Sequence, residues 1–204
     1  MLLTREARVA GRPRADARDP LLRAMLADAG IPAPGPDGAP LLVRCCVTCG
    51  SRAHGKPEAP GALEAGWHLS VSYAAGVVVV ALTDEGPVGV DVEDVAAVAH
   101  ADVRPVLLSD DERAARPAWT DRDVARAWTR KEALLKATGH GLAVAPSSVT
   151  LGDPDAPGEL RRWPADAGPA PSPRWAALDP VVDGLELVGA VVVLSGAAPA
   201  APAG

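Results

Sequence analysis

Three Val-rich runs of strand length are the features that most constrain the fold of this chain. They lie at Val77–Leu82, Val88–Glu93 and Leu187–Leu194, and each is bounded by turn residues. Runs this short and rich in β-branched residues are typical of buried strands and cannot cross a membrane as helices. Only the turn at Asp84–Pro87 separates the first two runs, so we predict that they pair as an antiparallel hairpin.

The best-defined helix of the sequence lies between Thr120 and Gly139. Thr120 and Asp123 have the spacing of a capping box, and Gly139 can end the helix at its C-cap. A second helix is predicted from about Pro20 to Ala29, where Leu and Met recur at helical spacing.

Charge and composition limit the partners of the chain. Its 204 residues carry a formal net charge of −6, with 20 Lys and Arg against 26 Asp and Glu. Nucleic acids and anionic membranes require a basic surface, so we expect neither as a partner. No apolar run is long enough for a signal peptide, which predicts a cytoplasmic protein. Residues 195–204 are small residues and Pro, and we expect a disordered tail there.

Two carboxylates stand two residues apart in the second Val-rich run. Because alternate residues of a strand face the same side, Asp91 and Glu93 are presented together, while Val90 and Val92 face the opposite side. Such a pair can hold a hard cation. The same pattern also occurs in an edge strand with a solvated polar face, so the strand alone leaves both readings open.

The Thr120–Gly139 helix adds further charged residues. Glu132 and Lys136 are one turn apart, which is also the spacing of an ordinary surface ion pair. Lys131 falls among core-facing positions, where an ammonium is unfavourable unless it meets an anion. If Glu132 packs against the Asp91 and Glu93 side of the strand, the three carboxylates form a Mg²⁺ site completed by water and substrate phosphates.

These segments resemble the paired signature of the 4′-phosphopantetheinyl transferases, in the Sfp-type branch with the Trp and Lys-Glu-Ala variant of the second motif. The first motif is GVDVE at residues 89–93, and the second is WTRKEALLKATGHGL at residues 128–142. HGKP, WHLSVSYAAG and LLSDDE occur in the order that the family has them. The resemblance spans roughly residues 41–151, and residues 174–194 resemble the family's closing strands.

The resemblance implies an α+β fold with two similar α+β halves in a pseudo-twofold arrangement. It further implies a monomer that binds coenzyme A in the cleft between the halves. We expect an N-terminal half over residues 1–88, on the nucleotide side, and a C-terminal half over residues 89–194 that contains both motifs.

The resemblance also assigns roles to individual residues. Asp91, Glu93 and Glu132 become the Mg²⁺ ligands, and Glu132 takes the proton of the acceptor serine, either directly or through a metal-bound water. Lys131 and Lys136 contact the pyrophosphate, where they stabilise the developing charge. Contacts to the nucleotide end of coenzyme A are predicted from Lys56, Ser72, Tyr73, Arg18 and Arg23.

Position 73 departs from the family pattern. Where the family has Ser-His-Ser, this chain has Ser72, Tyr73 and Ala74. A phenol offers a phosphate one uncharged hydrogen bond, whereas a protonated imidazole offers a charge-assisted one. We therefore expect the 3′-phosphate of coenzyme A to contribute less to binding than in a His-bearing relative, unless Lys56 or an N-terminal Arg compensates.

The implied activity is Mg²⁺-dependent transfer of the 4′-phosphopantetheine group from coenzyme A to a serine of an apo acyl or peptidyl carrier protein. Adenosine 3′,5′-bisphosphate is the other product. One alternative is a catalytically inactive module of the same fold that binds a carrier protein or a nucleotide. Another is a small zinc-binding interaction protein, because Cys46, Cys49 and His54 have the look of a zinc site, for which only Cys45 offers a fourth ligand.

Overall fold

The computed structural model describes residues 1–9, 11, 13–35, 38, 40–45, 50–53 and 55–195. The zinc hypothesis depends on Cys46, Cys49 and His54, and the predicted tail on residues 196–204; all of these lie outside the described residues. Within the described part of the chain, no helix combines the length and the apolar character that a bilayer span requires.

The described residues form strands, α-helices and three short 3₁₀ helices. The strands are β1 (Leu2–Arg8), β2 (Val43–Cys45), β3 (Lys56–Glu58), β4 (His68–Ala74), β5 (Val77–Thr83), β6 (Val88–Asp94), β7 (Thr150–Leu151), β8 (Leu160–Arg162), β9 (Pro173–Ala177), β10 (Val181–Val182) and β11 (Leu185–Leu194). The α-helices are α1 (Arg14–Asp28), α2 (Pro60–Glu64), α3 (Val95–Ala101), α4 (Arg104–Leu107), α5 (Asp110–Ala115) and α6 (Asp121–Thr138). The 3₁₀ helices cover Gly141–Ala143, Pro146–Ser148 and Ala165–Ala167.

Two antiparallel sheets lie between two long helices. The N-terminal sheet has the order β1, β5, β4; the C-terminal sheet places β11 between β6 and the strands β9 and β10. Helix α1 packs on one face of the N-terminal sheet, the other face of that sheet packs on the C-terminal sheet, and α6 covers the remaining face. The predicted α+β class is confirmed.

The predicted hairpin between the first two Val-rich runs is wrong. Strand β5 pairs with β1 along one edge and with β4 along the other, so neither edge is free for β6. Strand β6 pairs instead with β11, in a register that places Asp91 opposite Ala190. The two runs therefore belong to different sheets and meet through their apolar side chains in the core.

The N-terminal segment differs from the prediction as well. Strand β1 was not predicted, and α1 begins at Arg14 rather than near Pro20, which lies inside the helix. Both elements carry many exposed charged residues, and β1 is an edge strand, so its hydrophobic alternation is weak. The paired partner β5, rather than the local sequence, accounts for this strand.

Helix α6 matches the prediction at both ends and is held close to β6. Thr120 and Asp123 form the capping box, and Gly139 adopts a left-handed conformation with a φ of 81° at the C-cap. Gly89 of β6 lies directly beneath the helix: a Cβ atom at this position would lie 1.9 Å from the carbonyl oxygen of Ala133. This close approach places the charged face of α6 over the polar side of β6.

Candidate functional site

Strand β6 separates its apolar and carboxylate side chains as the alternation predicts. Val90 and Val92 are fully buried in the core between the two sheets. Asp91 points the other way, toward α6, and is only 3% exposed, while Glu93 is half-buried. The strand thus delivers two carboxylates to the space between β6 and α6.

Helix α6 brings Glu132 and Lys136 to the same place. The Nζ atom of Lys136 lies 2.7 Å from Oδ1 of Asp91 and 3.2 Å from the carbonyl oxygen of Val90. Burial, together with the charge of Asp91, raises the pKa of Glu132. Asp91, Glu93 and Glu132 are hereafter called the carboxylate cluster, and Lys136 is the cation that faces it.

The three carboxyl groups of the cluster all have pKa values above the ordinary range. Burial is the main cause for each. For Asp91, the ion pair with Lys136 opposes this effect of burial. The pKa of Glu93 is raised to about 7 by burial and by the charge of Asp91, and the side chain of Trp128 acts in the opposite direction. One buried and two half-buried acids beside one lysine therefore form a site with more acidic than basic groups.

Two oxygens of the cluster lack hydrogen-bond partners among the described residues. Oδ2 of Asp91 and Oε1 of Glu132 are both buried and unpaired. A buried carboxylate oxygen without a donor is unfavourable, and a bound cation would satisfy it. In the described chain no three His, Cys, Asp or Glu side chains converge closely enough to enclose a metal ion. An open oxygen donor set of this kind fits Mg²⁺, which keeps several waters and takes few protein ligands.

Lys131 lies outside this site, contrary to the sequence prediction. Its side chain is fully buried, with Nζ 2.6 Å from Oε2 of Glu112 and 2.7 Å from the carbonyl oxygen of Leu107. Positions 131 and 136 are about 140° apart around a helix of 3.6 residues per turn, so they face different neighbours. The ammonium of Lys131 is thus enclosed by protein, which gives the predicted pyrophosphate contact no support.

Ser72 and Tyr73 are adjacent in β4, so their side chains lie on opposite faces of the sheet. The Ser72 hydroxyl is buried and donates to Oδ1 of Asp91 at 2.8 Å, so it contacts the carboxylate cluster directly. Tyr73 packs against the core beneath α1. The guanidinium carbon of Arg14 lies 4.8 Å from the centre of the Tyr73 ring, and a cation at this distance attracts the ring face.

Lys56 lies beside His68, at the beginning of β4. Burial lowers the pKa of Lys56 to about 8, although nearby Glu58 acts in the opposite direction. The pKa of His68 is lowered by burial and then by the charge of Lys56. A half-buried lysine that loses its proton near pH 8 would be returned to the charged form by an anion.

The two N-terminal arginines of the prediction make contacts within the N-terminal half. Arg18 pairs with its neighbour Asp19, with 2.5 Å between Nη2 and Oδ1. Arg23 donates to the carbonyl oxygen of Pro34 at 2.5 Å. Among the described residues, neither side chain contacts the carboxylate cluster.

The structure also shows supporting residues to which the sequence analysis gave no role. The side chain of Trp128 lies near Glu93 and opposes the rise of its pKa. Glu112 accepts from Lys131 and from the backbone N–H groups of Ser109 and Leu151, so it joins α5, α6 and β7. Trp128 is one turn before Glu132 on α6, and this spacing is the signal that could have found it.

Comparison with known families found one match, which covers part of the chain. Residues 87–177 match the family model of the 4′-phosphopantetheinyl transferase superfamily. The matched segment contains the whole carboxylate cluster and Lys136. The match supports this superfamily and, with it, phosphopantetheinyl transfer in general. A search of curated proteins found no matching relative.

Proposed function

We propose that this protein is a phosphopantetheinyl transferase of the Sfp type. In this proposal it moves the 4′-phosphopantetheine group of coenzyme A to a serine of an apo acyl or peptidyl carrier protein, in a Mg²⁺-dependent reaction. The observation that carries the proposal is the carboxylate cluster facing Lys136, with Oδ2 of Asp91 and Oε1 of Glu132 buried and unpaired.

The charge balance of the site supports a substrate that brings phosphate and a cation together. The carboxylate cluster holds three acids, and Lys136 supplies one positive charge against them. Asp91, Glu93 and Glu132 would hold Mg²⁺. When bound, Mg²⁺ neutralises this excess charge and withdraws electron density from phosphate oxygens. Phosphate oxygens and water would occupy the positions that the protein leaves open.

The residues of the site divide the chemical work between them. The serine oxygen of the carrier forms a bond to the phosphorus that bears pantetheine, and the pyrophosphate P–O bond breaks to release adenosine 3′,5′-bisphosphate. Glu132 accepts the serine proton, because burial and the charge of Asp91 raise its pKa above the ordinary value. Lys136 stabilises charge on the phosphate oxygens as it develops.

The proposal includes the arrangement of the two halves. Residues 1–88 and 89–194 each supply a sheet and a long helix, and we propose that they are related by a pseudo-twofold axis, with coenzyme A between them in a cytoplasmic monomer. Lys56 is proposed to contact the nucleotide end together with Tyr73, Arg18 and Arg23. Lys131 is left out of the phosphate contacts because it is enclosed by Glu112 and Leu107.

One experiment tests the proposed function. The protein is incubated with coenzyme A, Mg²⁺ and a panel of apo carrier proteins from fatty-acid, polyketide and peptide synthesis, and the carriers are measured by intact mass. We expect at least one carrier to gain one phosphopantetheine group, and to gain none when EDTA replaces Mg²⁺. If folded protein binds coenzyme A or a carrier but modifies none of the panel, the inactive-module alternative replaces the transferase.

A further inference from the structure

Two serines of β4 join the N-terminal sheet to the C-terminal sheet. Among the described strands, β6 pairs with β11, and its other edge faces β4. The Ser70 hydroxyl accepts a hydrogen bond from the backbone N–H of Val90 at 3.0 Å, and the Ser72 hydroxyl accepts one from that of Val92 at 3.3 Å. Both side chains are buried. In this respect the two serines have the same structural role.

Ser72 makes two further contacts, both with charged side chains of the site. Its hydroxyl donates to Oδ1 of Asp91 at 2.8 Å, and Nζ of Lys136 lies 3.4 Å from the same hydroxyl. Oδ1 of Asp91 therefore receives two donors, Ser72 and Lys136. Two donors on one oxygen hold the carboxylate group in one orientation. With a single donor, the group could rotate about that one hydrogen bond.

Fixing Oδ1 also determines where the second oxygen lies. Oδ2 of Asp91 is buried and has no partner among the described residues. Oδ2 keeps this place in the structure while Oδ1 stays with Ser72 and Lys136. Hydrogen bonds to a ligating carboxylate commonly set its orientation and its affinity for a cation.

We propose that Ser72 is a positioning residue that holds the Asp91 carboxylate with Oδ1 on Lys136 and Oδ2 free to meet a divalent cation. This inference rests on the proposed function, and it replaces the predicted contact of Ser72 with the nucleotide. Ser72 acts on the cation through Asp91 and does not touch the substrate.

The test compares Ser72→Ala with Ser70→Ala, a matched control that also loses one hydroxyl bonded to the β6 backbone. Mn²⁺ is the probe, and its affinity is measured by electron paramagnetic resonance with coenzyme A present. We expect both variants to lose similar thermal stability, whereas Ser72→Ala alone weakens Mn²⁺ binding by ~10–100-fold, the usual effect of removing such a supporting group. Ser72→Thr, which keeps the hydroxyl, is expected to restore most of the affinity and remains informative if the alanine variant fails to fold.

Three results would overturn the inference. Equal Mn²⁺ affinity in Ser72→Ala and Ser70→Ala would mean that Ser72 has only the structural role that it shares with Ser70. Failure of Ser72→Thr to recover affinity over a folded Ser72→Ala would mean that the hydroxyl is not what matters. If Ser72→Ala weakened the binding of coenzyme A but left the binding of 3′-dephospho-coenzyme A unchanged, Ser72 would be a nucleotide contact. The proposed function fails separately, if the wild-type protein neither binds Mn²⁺ nor modifies a carrier.

Discussion

Lys131 and Glu112 form a buried ion pair, with 2.6 Å between Nζ and Oε2. Glu112 also accepts the backbone N–H groups of Ser109 at 2.8 Å and Leu151 at 2.9 Å. The pair therefore joins three segments that are distant in sequence. Because Lys131 precedes Glu132 on α6, the pair also fixes the helix that carries half of the site.

Breaking this pair from one side should strongly destabilise the protein. Lys131→Met leaves the Glu112 carboxylate buried without its cation, and such a loss typically costs about 3–5 kcal/mol. Adding Glu112→Gln removes the stranded charge while keeping an acceptor for Ser109. We expect the double variant to recover a large part of the free energy of unfolding, measured by urea denaturation. If the two losses simply add, the pair is not the source of the effect.

Removing the charge of Glu132 or Glu93 should greatly lower activity without unfolding the protein. Glu132→Gln and Glu93→Gln keep the shape of each side chain, and we expect turnover to fall by ~10²–10⁴-fold. Thermal stability should stay equal or rise, because fewer like charges are buried together. The rate of carrier modification and the melting temperature are the two measurements.

Asp94→Asn is the matched control for these carboxylate variants. Asp94 is in the same strand, but its Oδ1 accepts from the backbone N–H of Ala96 at the beginning of α3, and Asn can keep that bond. We expect Asp94→Asn to have near-normal turnover. Wild-type turnover in Glu132→Gln would remove Glu132 from the mechanism.

The indole of Trp128 should matter to activity more than that of Trp119. Trp128 lies near Glu93 and lowers the pKa of its carboxyl, whereas the Nε1 atom of Trp119 is buried and has no partner among the described residues. Both tryptophans are half-buried in the same core cluster, so replacement by Phe removes similar packing. We expect Trp128→Phe to lower turnover by ~10–100-fold. Trp119→Phe, measured in the same assay, should not lower turnover. Equal losses of turnover in the two variants would contradict a role for the Trp128 indole N–H.

Lys56 should make stability depend on pH in the alkaline range. Its folded pKa of about 8 lies below the unfolded value of 10.5, so between these values the unfolded chain binds more protons. The contribution of Lys56 to the free energy of unfolding therefore rises with pH from about 8 to 10.5. Below pH 8, the full destabilising effect of burying the charged lysine is present. The free energy of unfolding of wild type minus that of Lys56→Met should increase over this window.

Lys56→Arg is the control for this measurement. Its guanidinium stays charged across the whole window, so the variant should lack the alkaline rise that the wild type shows. Parallel pH profiles for the wild type and Lys56→Met would contradict the lowered pKa of Lys56.

The sequence predicts local structure where the determinants are local. Thr120, Asp123 and Gly139 define the ends of α6 through backbone hydrogen bonds within a few residues, and the structure agrees. The alternation of Asp91 and Val92 likewise follows from strand geometry alone. Helix capping and strand alternation together predict the elements and faces that carry most of the carboxylate cluster.

The sequence fails where a partner from far along the chain decides the outcome. Strand β5 takes β1 and β4 as neighbours, and no local signal in residues 77–94 reveals that β6 must pair with β11. Lys131 has a buried partner in Glu112, which is 19 residues away, so its charge could not be assigned from the helix alone. The contact of Ser72 with Asp91 depends on the junction between the sheets, so the sequence of β4 alone does not reveal it.

Product release coupled to carrier modification is the most direct test of the central claim. The protein is mixed with coenzyme A, Mg²⁺ and an apo carrier, and adenosine 3′,5′-bisphosphate is quantified by chromatography beside the intact mass of the carrier. The account predicts one nucleotide released for each carrier modified, and none with a carrier whose acceptor serine is replaced by Ala. Release of nucleotide without carrier modification, or unmodified carrier in the presence of bound coenzyme A, would contradict it.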